Sequence, residues 1–172
     1  MPELTEGQFS INFGVVKLGG KLKEVDRQCA WKLYSEIATR VAVSGKRRDE
    51  TSADFSGEII SESFESLYNF FKESREIMKE YPVGKLKEKN QSHMGNLIHD
   101  LLADVLRPFL EKWQADYRAW WEPQDKSEAS WFDIQSTYPQ HDALLEDWTA
   151  LRKLMRKIEH KLRDEYGLQR LD

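Results

Sequence analysis

The sequence predicts an all-α antiparallel bundle of four to five helices with an extended N-terminal arm. Four long segments repeat apolar residues at helical spacing, one short segment alternates, and a proline interrupts the third helical run. At 172 residues the chain fits one domain, 1–172, long enough to bury a core without disulfides or metal.

In the arm, residues 1–20, the stretch QFSINFGVV alternates, so Phe9, Ile11, Phe13 and Val15 share one side of an extended chain. No second strand is evident, and a lone strand leaves backbone groups unpaired. Either the arm lays its apolar side across the bundle, or these four residues form a strand completed by another chain through strand addition.

From about Lys21 to Ser44 the spacing turns helical. Cys29, Ala30, Trp31, Leu33, Tyr34, Ile37, Ala38 and Val41 cover more than half of the wheel, so heavy burial is expected. Arg27 falls in that face, and its stem is expected on the core with its charge reaching water. Glu36 and Arg40 form an i,i+4 pair on the other side. The stretch SGKRRDETSADFSG, Ser44 to Gly57, reads as a loop. Its SGK resembles the end of a phosphate-binding loop, but Arg40 stands where that motif needs glycine.

A second helix runs from about Glu58 to Tyr81. Its apolar stripe includes Phe64, Leu67, Phe70 and Ile77, with Ser63 and Ser74 as small gaps for a neighbouring helix. The opposite side is acidic, and Pro82 and Gly84 stop the helix. The third segment, about Gln91 to Glu122, contains Pro108, which removes a backbone donor and crowds the preceding turn. A kink or two helices are expected there, because the apolar stripe also rotates by roughly 70° between Leu97–Val105 and Phe109–Trp121. The break is expected to let the element change partners. In the connection 123–139, Trp131 and Phe132 stand out because loops are ordinarily polar. The last helix, about His141 to Tyr166, packs Leu144, Trp148, Leu151, Met155, Ile158 and Leu162, and Gly167 ends it.

A hydrophobic fraction of 40% describes a folded chain, and a net charge of -4 gives no global attraction to nucleic acid or anionic membrane. The single cysteine, Cys29, excludes an intrachain disulfide and is expected to be a buried, inert thiol. Neither a signal peptide nor a membrane span is apparent, so a soluble cytoplasmic protein is expected.

His93, Asn96, Asp100 and Asp104 share one flank of the third helix, and imidazole with two carboxylates suits a divalent metal or acid–base work. Helical di-metal proteins supply Glu-x-x-His from paired helices, and no matching motif occurs, so no metal or cofactor is expected. A helical bundle with a basic end resembles the bacterial HEPN ribonucleases in architecture. Their hallmark is an Arg, a polar residue and a His, with four to six residues between the Arg and the His; Arg156 and His160 enclose three and Arg152 and His160 seven, so the catalytic spacing is absent. No nucleophile elbow or glycine-rich nucleotide fingerprint occurs either, and no catalytic residue or small-molecule substrate is expected.

The stretch LRKLMRKIEHKLR remains. Arg152, Lys153, Arg156, Lys157, His160 and Arg163 occupy one face of the last helix, opposite its apolar stripe. The helix dipole favours cations near a C-terminus, but only within the last turn, so it does not account for three turns of them. The residues are expected to line up in solvent as a partner- or phosphate-binding face, with Trp121, Trp131 or Phe132 as aromatic anchor. The favoured expectation is a non-enzymatic module that binds a protein partner or another copy of itself. Nucleic acid bound by phosphate contacts and base stacking is the alternative. An enzyme built around His93 and Asp100 is the third option.

Overall fold

The computed structural model describes residues 3–13, 17–18, 21–22, 24–80, 94–127 and 129–171. The arm is not a lone strand. Glu3–Glu6 (β1) pairs antiparallel with Phe9–Asn12 (β2), in a register that sets Glu6 opposite Phe9 and Glu3 opposite Asn12. Gly7, at φ 53°, opens the two-residue turn, a conformation glycine adopts without steric cost. Period-two alternation then sends Phe9, Ile11 and Phe13 into the core. The strand thus finds a partner within its own chain, and its apolar side lies on the core as the first of the two expectations has it; Val15 lies outside the described residues. A second short pair joins Lys17–Leu18 (β3) to Lys21–Leu22 (β4), so the first helix starts later than Lys21.

That helix, Glu24–Ala38 (α1), ends before Arg40, whose backbone is extended. The hydroxyls of Ser35 and Thr39 donate to carbonyls one turn back, at 2.8 and 2.7 Å, a local bonding that competes with helix continuation. One further turn, Val41–Ser44 (α2), folds back onto α1 through the buried bond from Ser44 Oγ to the Ile37 carbonyl. Trp31 and Arg27, expected on the buried face, are both exposed, whereas the Glu36–Arg40 pair forms at 2.7 Å. Cys29 is buried, and burial first, then the neighbouring Asp26 charge, pushes its thiol up to about 12.

Ile60–Glu80 (α3) buries Phe64, Leu67, Phe70 and Ile77, with Ser63 and Ser74 in the buried stripe. Its first turn is capped from a distance: the Ile60 N–H donates to Gln135 Oε1 at 2.9 Å. Pro82 and Gly84 lie outside the described residues. The third segment is one uninterrupted helical run of three parts, Met94–Asp100 (α4), a π-helical stretch Leu101–Leu106, and Arg107–Trp121 (α5). In the wide turn the Arg107 N–H reaches back to the Leu102 carbonyl, which gives Pro108 room that a plain α-helix denies it. Both α4 and α5 pack on α3, and α4 additionally meets α1 and β2.

A short helix, Trp131–Ser136 (α6), with Ser130 as its cap, interrupts the connection to His141–Tyr166 (α7). Gly167 closes α7 in the left-handed conformation. The buried side chains form one hydrophobic cluster, with Trp148 at its aromatic centre against Phe64 and Phe109. Trp148 Nε1 donates to the Ala42 carbonyl at 2.8 Å, tying α7 to α2. Among the described residues no helix is long and apolar enough to cross a membrane.

Candidate anion-binding cleft

The basic stripe of α7 does not stand uniformly in solvent. Arg152 is fully buried, because the loop between α2 and α3 folds over that flank of the helix. Its Nη2 donates to Glu58 at 2.6 Å, and its guanidinium lies over the Phe55 ring, 3.9 Å from the centroid. Burial pulls the guanidinium below its ordinary value and the Glu58 carboxylate opposes that. Arg156, half-buried, donates to the backbone carbonyls of Ser44, Lys46 and Asp49. Lys157 reaches the N-terminal hairpin, bonding Glu6 and the Thr5 carbonyl, both at 2.8 Å. Half of the six expected site residues therefore organise this chain's own loop and hairpin, a correction to the solvent stripe.

The loop so held, 45–57, has bonds of its own. Asp49 accepts from the Thr51 and Asp54 N–H groups and the Thr51 hydroxyl, which hold its carboxyl below the usual carboxylate range. Asp54 is pulled well down by Lys46 at 2.8 Å and by Ser56. Gly45 sits at φ 76°, and a Cβ there would meet Arg152 Cδ at 3.4 Å, so the chain crosses the two arginines at a glycine.

No protein-family model matches this chain, and neither curated proteins nor solved structures gave a significant match. The site is therefore read from its own geometry.

Between the loop, α7, the end of α1 and the C-terminal tail lies a cleft of about 890 Å³. Seven lysines and arginines and His160 line it, against three carboxylates, Glu6, Glu50 and Glu159. Arg47 and Arg48 project from the loop, Lys153, His160 and Arg163 from α7, and Arg170 from the tail. Arg47, Arg48 and Lys153 form no ion pair among the described residues, whereas Arg163 contacts Asp164 at 3.1 Å. The cations that form no ion pair among the described residues thus come from the loop and α7, with Arg152 and Arg156 fixing the distance between loop and helix. Sequence reasoning missed Arg47 and Arg48; their adjacency in a polar loop was visible, but not the folding of that loop against α7.

The aromatic candidates stand elsewhere. Trp121 is buried beneath Trp131, whose ring meets it edge-on at 5.8 Å, with Lys126 Nζ 4.7 Å from the Trp121 ring. Trp121 is therefore part of the packing and not an exposed anchor. Trp131 and Phe132 are 42% and 48% exposed on α6, and neither lines the cleft. Of the third-helix group, Asp100 bonds His99 at 3.1 Å, Asp104 is exposed, and His93 lies outside the described residues. No group of three or more potential metal ligands occurs among the described residues.

Proposed function

We propose that this protein is a non-enzymatic interaction module, an adaptor, regulatory or accessory subunit of a cytoplasmic complex, whose basic cleft holds an acidic segment of a protein partner. One observation carries this reading: Arg47, Arg48 and Lys153, which form no ion pair among the described residues, face a single cleft from two elements. Several guanidinium and ammonium groups gathered on one cleft reward an anionic occupant more than isolated surface lysines do. The negative net charge of the whole chain confines the attraction to this cleft, which favours a partner that presents its charge locally.

The test is affinity purification of the tagged full chain from its host, beside an Arg48→Glu, Lys153→Glu variant that melts at the native temperature. A protein retained by the native chain and lost by the variant supports the reading. A partner held equally by both, or none held by either, overturns it. Nucleic acid in place of protein would instead give binding whose log–log salt slope approaches one per phosphate contact.

A further inference from the structure

We infer that the segment held in the cleft is phosphorylated, its phosphate seated between the 45–52 loop and the solvent flank of α7. This rests on the reading of the cleft as a protein-binding site and specifies the chemistry it selects. The cations stand on two elements of the lining: Arg47 and Arg48 on the loop and Lys153 on α7, with His160 beside it. A carboxylate offers one charge and two oxygens in a plane, so it answers one wall of such a site. A phosphomonoester carries about -1.5 to -2 charge and three strong acceptor oxygens in tetrahedral array, which answer both. Arginine forks match phosphate oxygens two at a time.

Ser52 adds an independent observation. It borders the cleft, is completely buried, is held at φ 60°, and its hydroxyl has no hydrogen-bond partner. An orphaned hydroxyl beside clustered cations is satisfied by an oxyanion. Glu6, Glu50 and Glu159 on the same lining argue against a long polyanion, whose successive phosphates would meet them. A single dense charge avoids them.

Fluorescence titration of the full chain against degenerate peptide pools with a central phosphoserine, aspartate or serine tests the inference. Inorganic pyrophosphate and a single-stranded oligonucleotide are further arms. The phosphoserine pool is expected to bind at least about tenfold tighter than the aspartate pool, and Arg48→Gln to narrow that gap. Equal binding of those two pools overturns the phosphate assignment and leaves the acidic-segment reading standing. Binding of no peptide pool overturns both. Pyrophosphate or the oligonucleotide binding tighter than every peptide pool overturns a protein source for the phosphate.

Discussion

Arg152 decides how the basic helix is to be understood. A guanidinium taken wholly out of water is held only by partners that repay its desolvation, and Glu58 with the Phe55 ring fill that role. Removing one member of such a pair leaves the other charge nearly buried and alone, at a cost of about 3–5 kcal/mol. Arg152→Met is therefore expected to lower the urea midpoint strongly, and Arg152→Met with Glu58→Met to recover much of the loss. A single variant as stable as the native chain would show that the loop is held by other contacts. This residue also marks a limit of the helical wheel. Periodicity places Arg152 on the polar side of α7, correctly as angle, but a wheel carries no information about a loop closing over that angle.

At the scale of the element, the 45–57 loop is held by side chains bonded to backbone, with no repeat for a sequence pattern to reveal. Its two aspartates make the holding sensitive to acid. The carboxyls of Asp49 and Asp54 sit below their unfolded values, so the folded loop binds fewer protons than the unfolded chain. Their contribution is complete above the unfolded value of about 4 and is lost as pH falls toward the folded values. Melting temperature is accordingly expected to drop as pH is lowered below about 4, and an Asp49→Asn, Asp54→Asn variant to show a shallower drop. An unchanged slope would mean that other carboxylates dominate the acid response. The helices were more legible than the loop: α7 runs over the residues its spacing predicts and stops at Gly167, because stripe and cap are local signals. The hairpin was half legible. Phe9, Ile11 and Phe13 announced a strand, but β1, Glu3–Glu6, is polar at alternate positions and carries no apolar run to announce its partner.

Across the whole molecule, the all-α architecture followed from four periodic segments, and the cleft did not, because its walls come from residues more than a hundred positions apart. The rotation of the apolar stripe along the third segment was visible in the sequence, yet its meaning lies in the π turn. One extra residue in a helix advances the wheel by about 100°, and the wide turn at Leu101–Leu106 takes up such a residue. Leu97 and Ile98 on one side of it and Phe109, Trp113 and Tyr117 on the other consequently all reach the core. The side-chain pattern thus behaves like a reading frame shifted by one and restored at a single place. In a Pro108→Ala background, which relieves the ring's demand for space, deletion of Ala103 is expected to leave a folded chain with both stripes in phase. Deletion of Gln114, beyond the turn, would throw the rest of α5 out of frame and expose Tyr117. Circular dichroism melts of the two deletions distinguish them, and equal damage from both would refute the shared frame.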